Sequence, residues 1–287
     1  MSPGIDGLEC RHRTGSIVIT SNSNPKIVEI RKLQDVKFRK QTGLFVAEGL
    51  KAIGQALESH ARVIELLYSE ELLVSDYGVE LVKTFSDIEG IEVLEVSASV
   101  FESLARKEKP QGIAAVIHQK WATFVDFNAE DPGLFVAVDS IQNPGNLGTI
   151  LRTCDAVGAK SLVLLNYSTD PYDPVAVKAS MGSVFTVPLI RATSEDFLDW
   201  ANKTSLPIIG TSDKARQSCF TYQYPNPCVV LMGSEREGLP PELVTHTTEM
   251  LGIPMEGSAD SLNISVATGI ILYQAYLSHR LNQGQLI

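Results

Sequence analysis

The chain has 287 residues, of which 44% are hydrophobic and 20% charged, enough for one large domain or two ordinary ones. No stretch reaches the roughly 18 consecutive apolar residues of a membrane span, and the first residues lack the apolar core of a signal peptide. The cysteines show no CxxC spacing and are Cys10, Cys154, Cys219 and Cys228. We therefore expect a cytoplasmic protein with reduced thiols, no membrane partner and no metal site.

Charge is distributed unevenly along the chain, whose formal net charge is −10. That total argues against indiscriminate binding to nucleic acid, because phosphate binding needs local positive charge. Residues 26–40 nevertheless hold six Lys and Arg against Glu29 and Asp35, whereas the chain from Trp121 onward is acidic. The sequence predicts a basic RNA-binding part followed by an acidic one. The candidate RNA-binding residues are Lys26, Arg31, Lys32, Lys37, Arg39 and Lys40.

The first part alternates between helical and strand-like segments, which is typical of an α/β unit. Pro25 stands where a helix can begin. Strands are predicted at 43–49, 62–69 and 112–118, and helices at 51–59 and 99–105. We expect residues 1–23 to be a flexible amino terminus, 24–120 a small α/β domain, 121–133 a linker and 134–287 a second domain.

The second part contains four runs that are apolar on both faces, as buried parallel strands are. These runs are residues 134–140, 161–166, 207–212 and 228–234, and the chain closes with an amphipathic helix from about Leu262 to Leu281. The pattern predicts a parallel-sheet α/β/α domain with crossover helices. Ligands of such sheets bind beyond the carboxyl ends of the strands, so the loops that follow the strands are the candidate site.

The first of these loops, residues 139–159, is glycine-rich. Asn143, Pro144 and Gly145 are predicted to turn the chain, and Asn146 to cap a helix that carries Arg152 six residues later. By itself this pattern is typical of a strand-to-helix turn that binds a phosphate. It contains neither GxGxxG nor GxxxxGK[ST], which disfavours dinucleotide and nucleoside triphosphate binding.

Two further loops follow buried or strand-like segments. In residues 231–240, Gly233 and Gly238 bracket a turn that presents Glu235. In residues 253–269, strand residues lead into a polar loop and then into a helix, for which Ser261 is the predicted N-cap. Each segment alone is an ordinary polar loop at the entrance of a helix.

Together, the three segments resemble the three signature motifs of the SpoU (TrmH-like) family of RNA ribose 2′-O-methyltransferases, of the SPOUT superfamily. The family patterns are N-x-G-x-I-L-R-T, then G-x-E-x-x-G-L, then I-P-M-x-G-x-x-x-S-L-N-x-S-V-A, and all are present in order. The segments GLFVAEG and KPQGIAAV resemble the amino-terminal substrate-binding domain of that family. The resemblance covers about residues 25–280.

The resemblance implies a small RNA-binding domain followed by a domain with a carboxyl-terminal trefoil knot. It implies methyl transfer from S-adenosylmethionine to a ribose 2′-hydroxyl of structured RNA, and ribosomal rather than transfer RNA because a separate amino-terminal domain is present. It also implies a homodimer through the carboxyl-terminal domain, formed by the last helix and the first-motif helix. The apolar residues expected on the dimer face are Ile264, Ile271, Leu272, Ala275 and Tyr276.

The resemblance also assigns roles to single residues. It places backbone contacts to the cofactor at Gly233, Ile253 and Leu262, with Met232 and Met255 lining the adenine pocket. The implied catalytic residues are Asn146, Arg152, Glu235, Ser261 and Asn263.

Within that catalytic set, Arg152 is expected to bind the target phosphate and stabilise the developing alkoxide, because a guanidinium resists acting as a base. Glu235 orients Arg152 or Asn146, or it forms a surface ion pair with Arg236. Two alternatives to the enzyme stay open: a non-catalytic RNA-binding homologue that kept the fold, and a methyltransferase acting on a base or a protein side chain. Asn146, Arg152, Ser261 and Asn263 are all present and favour the enzyme.

Overall fold

A computed structural model describes residues 18–105, 109–128, 131–258 and 260–284. The first part folds around a four-stranded sheet in the order β1-β4-β2-β3, in which β4 runs antiparallel to β1 and β2, and β3 parallel to β2. The predicted strands and helices of this part are all confirmed. Its strands are β1 Leu44–Glu48, β2 Val63–Tyr68, β3 Glu92–Glu95 and β4 Ile113–His118, and its helices α1 Pro25–Lys32, α2 Val36–Thr42, α3 Leu50–Glu58, α4 Asp76–Ser86 and α5 Ala98–Leu104.

Local sequence signals explain the two helices that carry the basic segment. Asn24 caps α1 by accepting a hydrogen bond from the Lys26 amide at 3.0 Å, and Pro25 occupies the first helical position, where its missing N–H costs nothing. Asp35 caps α2, which ends at Gly43 in the left-handed conformation (φ 67°).

Most of the predicted flexible amino terminus, residues 1–17, lies outside the described residues. Of the remainder, Ile19 forms an isolated parallel bridge with Val96, just beyond β3. The Ile19 amide donates to the Glu95 carbonyl at 2.9 Å, and the Ser97 amide donates to the Ile19 carbonyl at 3.0 Å.

The second part contains the predicted parallel sheet, with seven strands in the order β7-β6-β5-β10-β8-β11-β9. The four predicted strands are confirmed as β5, β6, β8 and β10, whereas the short β7, β9 and β11 were not predicted. The strands are β5 Leu134–Asp139, β6 Ser161–Leu165, β7 Leu189–Ala192, β8 Ile208–Thr211, β9 Gln217–Ser218, β10 Cys228–Met232 and β11 Glu249–Gly252. The helices are α6 Pro144–Ala156, α7 Pro174–Ser180, α8 Ser194–Thr204, α9 Pro241–Val244 and α10 Ile264–Asn282.

Helices cover both faces of this sheet, which explains why its central strands are apolar on both sides. Alternate residues of β5, such as Val136 and Val138, pack in one cluster with α6, α7 and α10. Their neighbours Phe135 and Ala137 pack in a second cluster with α8 and α9. The result is the three-layer α/β/α arrangement expected from the sequence. No helix of the described segments combines the length and apolarity required to traverse a membrane.

The last helix corrects one expectation. Four of the five residues predicted to face a second protomer, Ile264, Ile271, Leu272 and Ala275, are buried in the core of their own chain. The α10 surface left open is a different apolar stripe, because α6 and the sheet take up the opposite side of the helix. We call this surface the α10 stripe; it comprises the exposed Val266 and Tyr273 and the half-buried Ile270 and Leu277 beside them.

Candidate active site

A cleft of about 990 Å³ lies at the carboxyl ends of β5 and β10, where the sequence placed it. The three loops with sequence motifs meet there. The loop after β5 contributes Ser140, Gln142, Asn143, Pro144 and Asn146, the loop after β10 contributes Ser234, Glu235, Arg236 and Glu237, and the entrance of α10 contributes Ser261, Leu262, Asn263 and Ile264.

The first loop is fixed by the cap of α6. The cap is Asn143, not Asn146 as predicted: the Asn143 side-chain oxygen accepts the amides of Gly145 at 2.8 Å and Asn146 at 3.1 Å. Pro144 then occupies the first helical position, a preference that could have identified the cap from sequence. Asn146 is therefore inside the first turn, where its side chain is free to reach the other two loops.

One chain of hydrogen bonds joins the three loops. Asn146 Nδ2 donates to Glu235 Oε1 at 2.8 Å, and the Gln142 amide donates to Glu235 Oε2 at 3.4 Å. On its other side, Asn146 Oδ1 accepts from Asn263 Nδ2 at 3.2 Å. Asn146 is thus held at both ends of its amide, and Glu235 contacts Asn146 rather than forming an ion pair with Arg236.

The third loop is held by its own cap. The N-cap of α10 is Asn263 and not Ser261, since Asn263 Oδ1 accepts from the Ser265 amide at 2.9 Å and from Ser265 Oγ at 2.6 Å. Capping leaves Asn263 Nδ2 pointing at Asn146, while Ser261 lines the cleft with an exposed side chain. The orientation of the Asn146 side-chain amide therefore depends on how two helices begin.

Arg152 is the one predicted catalytic residue that does not line the cleft. It lies on α6, six residues after Asn146, which moves it about 9 Å along the helix and about a third of a turn around it. Its side chain is exposed. Among the described lining residues the cation is Arg236, which sequence reasoning treated only as a possible partner of Glu235.

Some of the residues predicted to bind the cofactor are accessible in the structure, and others are buried. Leu262 lines the cleft, and Met255 is 38% exposed in the same loop, so both side chains are accessible to a ligand. Met232 is a correction: its side chain is buried under Thr211 and does not line the cleft, because β10 is central in the sheet. Ile253 is half-buried just beyond β11.

Gly233 is required by the close passage of two chain segments. A Cβ on Gly233 would lie 2.3 Å from the carbonyl carbon of Gly238 and 2.4 Å from the amide nitrogen of Leu239. The loop doubles back so that Ser234 and Gly238 exchange two backbone hydrogen bonds, at 3.0 and 3.2 Å. This tight turn holds Glu235 and the neighbouring backbone at the cleft.

The basic segment predicted to bind RNA is only partly available for that role. Lys32, Lys37 and Lys40 are exposed. Lys26 forms an ion pair with Glu92, and this hydrogen bond raises the pKa of the lysine above its usual value. Arg31 donates to Ser103 Oγ at 3.0 Å.

Arg39 does not belong in the RNA-binding set. Its side chain is 1% exposed, because it is enclosed between α2 and the loop before α7, so it cannot contact RNA. A basic run on a helix does not reveal which of its cations turns inward.

Both parts of the chain match known protein families. A model described as the SpoU rRNA methylase family matches residues 133–273, and one described as an MRM3-like substrate-binding domain matches residues 24–115. The chain is 31% identical over 262 residues to the 23S rRNA (guanosine(2553)-2′-O)-methyltransferase RlmP of Bacillus subtilis, covering 89% of this chain and 97% of that one.

Solved structures agree. The chain superposes with a TM-score of 0.84 and 35% identity on an rRNA methyltransferase from Sinorhizobium meliloti crystallised with S-adenosylmethionine, covering 93% of this chain and 98% of the other. The SpoU methyltransferase AviRb from Streptomyces viridochromogenes gives a TM-score of 0.81 at 27% identity, over 91% of this chain and 99% of that one. The fold and cleft are those of an RNA methyltransferase. The chain belongs to the SpoU rRNA methylase family, and S-adenosylmethionine is its cofactor.

The residues of the cleft fit that cofactor. A volume of about 990 Å³ accommodates a ligand of its size, and the exposed Leu262 and Met255 provide apolar contact beside polar amide and hydroxyl groups. No group of three or more metal-ligating side chains occurs within the described ranges.

Cofactor binding is predicted to be independent of divalent metal. Calorimetry with S-adenosylhomocysteine is expected to give the same affinity with and without a chelator, because the groups expected to hold the cofactor are backbone atoms and apolar side chains. A chelator-sensitive affinity would contradict this prediction.

Proposed function

We propose that this protein methylates a ribose 2′-hydroxyl of ribosomal RNA of the large subunit. The observation that supports this most directly is the fixed amide of Asn146, held between Glu235 and Asn263 where the three motifs meet. The named relatives that act on 23S rRNA support the choice of RNA. Because ribosomal RNA is the proposed substrate, the cytoplasm is the proposed place of action.

The bound cofactor supplies a methyl group that its sulfonium already activates for displacement. The residues of the chain therefore have to align the ribose and assist loss of its proton. Asn146, Ser261 and Asn263 position the ribose at the cleft, and Glu235 holds Asn146 in place. Gly233, Ile253 and Leu262 contribute backbone contacts to the cofactor, with Met255 against its adenine.

Arg152 acts on the neighbouring protomer in this proposal. Its exposed position on α6, away from the cleft of its own chain, is compatible with a dimer in which α6 and α10 meet their counterparts across a two-fold axis. There Arg152 binds a phosphate of the target and stabilises the negative charge that develops on the ribose oxygen. The proton passes to phosphate or water, because the guanidinium itself stays protonated.

The α10 stripe supports the dimer. Val266 is 51% and Tyr273 46% exposed on a helix whose opposite side is core, so a second copy would remove apolar surface from water. We expect wild-type protein to be a dimer by light scattering at micromolar concentration. Tyr273→Glu is expected to give monomers, since a carboxylate in the interface is costly to desolvate. Tyr167→Glu, at a residue 88% exposed outside the stripe, is the matched control and should remain dimeric. A monomeric wild-type protein would contradict the proposal.

A trefoil knot in the second domain is part of the same proposal. The sheet order supports it, since β10 returns between β5 and β8, and the two motif-bearing loops after β10 and β11 both adjoin the entrance of α10. Pulling the domain by its ends in an optical trap tests the knot. The fully stretched chain should be measurably shorter than an unknotted chain of equal length.

Ribose mapping by mass spectrometry tests the function as a whole. Ribosomal RNA from cells that lack the gene is expected to lose one 2′-O-methyl group, and purified protein with S-adenosylmethionine should restore it. If folded protein binds both RNA and cofactor yet transfers no methyl group, the alternative of a non-catalytic RNA-binding homologue is correct instead.

A further inference from the structure

A buried ion-pair cluster joins the two domains. Arg39 of α2 donates from Nε to Asp170 at 2.8 Å and from Nη2 to Asp173 at 3.3 Å. Its Nη1 donates to the carbonyl oxygens of Leu33 and Gln34 at 3.0 and 2.9 Å. The arginine is 1% exposed and Asp170 7%, so the pairing is closed to water. We call Arg39, Asp170 and Asp173 the clamp.

The loop that carries the two carboxylates makes further contacts with the first domain. Tyr172 Oη donates to the Lys120 carbonyl at 2.6 Å and accepts the Lys120 amide at 2.9 Å. The ring of Tyr172 lies 4.6 Å from that of Phe45 in β1 and 5.3 Å, edge on, from that of Trp121. Within this loop, Asp170 and Tyr172 therefore both point into the domain boundary.

The segment predicted to be a linker strengthens the same boundary. The Ala122 amide donates to the Leu189 carbonyl of β7 at 2.8 Å, and Arg191 of β7 lies over the Trp121 ring at 4.3 Å. This connection follows the edge of the large sheet, so the first domain is attached through the clamp, Tyr172 and β7 together.

The clamp is also connected, through helices α7 and α6, to the side-chain amide of Asn146. Asp173 accepts the Val175 amide at 2.9 Å and so caps α7, while its other carboxylate oxygen binds Arg39. Helix α7 packs on α6 so closely that a Cβ on Gly148 would lie 2.4 Å from the Ala176 carbonyl oxygen. Because α6 carries Asn146 in its first turn, the clamp is connected to Asn146 through the close packing of α7 on α6.

We propose that Arg39 is a positioning residue, which holds the RNA-binding domain at a fixed orientation to the catalytic cleft. The inference rests on the proposed function. Lys37 and Lys40 lie exposed on the helix that carries Arg39, so RNA bound by these lysines is delivered in register with Asn146.

The clamp differs from an apolar contact mainly because it fixes the relative orientation of the two domains, and less because it stabilises them. A buried ion pair contributes little net stability compared with apolar side chains of equal volume, because both partners lose hydration. The Arg39 guanidinium, however, is fixed in its own domain by the Leu33 and Gln34 carbonyls and bonds across the boundary to Asp170 and Asp173, so it restricts the relative placement of the two domains. Loss of the clamp is therefore expected to affect delivery of the ribose more than binding.

The test compares wild type with the Arg39→Gln/Asp170→Asn double variant, which removes the main ion pair without leaving Asp170 as an unpaired buried charge. The probes are protein-free 23S rRNA and S-adenosylhomocysteine. We expect the single-turnover methylation rate at saturating RNA to fall on the order of 10²-fold, as for misplaced reacting groups. RNA affinity by filter binding and cofactor affinity should change less than about threefold, since neither binding surface is altered. Small-angle scattering should report a larger radius of gyration.

Three further variants complete the experiment. Asp173→Asn retains a capping side chain and weakens only the 3.3 Å pair, so a smaller rate loss is expected. Arg39→Lys keeps the charge without the fork and should resemble the double variant. Lys203→Gln, exposed on α8 in the opposite helical layer, is the control for removal of a cation away from the clamp and should match wild type.

The outcomes separate positioning from folding. If the double variant merely folds less completely, the stoichiometry of cofactor binding and the reaction amplitude will fall while the rate constant stays at the wild-type value, and the proposal is wrong. An unchanged rate in the fully folded double variant overturns it equally, whatever its radius of gyration. A wild-type protein that methylates no ribose would instead refute the proposed function.

Discussion

Heterodimers made of one Asn146→Ala and one Arg152→Ala protomer are expected to recover about half the turnover of wild-type dimers, because one of their two sites contains both residues. Each parent homodimer should be at least about 100-fold impaired, since either loss leaves the ribose misaligned or its developing charge unstabilised. Differently tagged protomers can be co-expressed, purified over both tags and assayed with tritiated cofactor.

The positions of Asn146 and Arg152 allow this experiment to distinguish a site shared between protomers from a site within one chain. Asn146 lines the cleft of its own chain, whereas Arg152 is exposed farther along α6 and does not line that cleft. If Arg152 served its own chain, both sites of the heterodimer would carry one defect each and activity would stay at the parent level. That result would show that Arg152 does not act in the site of the neighbouring protomer, and Arg236 would then be the remaining candidate for the cation of the cleft.

Arg152→Lys serves as the second variant. We expect it to rescue little, because one ammonium does not reproduce the planar fork that binds a phosphate through two parallel hydrogen bonds. Near-normal turnover in Arg152→Lys would show that charge alone is sufficient.

Gly233→Ala is expected to lower cofactor affinity by about 100-fold or more, equivalent to about 2.7 kcal/mol. The added methyl group would lie within 2.4 Å of the Gly238 carbonyl carbon and the Leu239 amide nitrogen, and neither backbone atom can yield as a flexible side chain does. The turn would have to open, which would displace Glu235 and the backbone that we propose contacts the cofactor. Calorimetry with S-adenosylhomocysteine measures the loss.

Gly257→Ala is the matched control in the neighbouring loop. A Cβ there meets nothing within 4 Å, so the same chemical change should leave affinity within about threefold of wild type. Equal losses in both variants would show that the effect comes from loop flexibility rather than from the close passage at Gly233.

Local signals allowed much of the fold to be predicted. The strands β5, β6, β8 and β10 are buried on both faces and so are recognisable as uninterrupted apolar runs. By contrast, β7, β9 and β11 have two to four residues each and become strands only by pairing with the sheet. Their periodicity is too short to separate from a loop.

The sequence by itself determined the three motif loops, their order and therefore the family and its cofactor, because these features depend on residue type and spacing. Only the tertiary structure decided which way side chains turn. Arg39 looks like any cation of the basic segment until Asp170, 131 residues later, folds against it. The apolar residues of α10 cover most of its circumference, so packing on α6 and the sheet selects the buried side and leaves the α10 stripe. Such choices depend on contacts between distant segments, which no local pattern encodes.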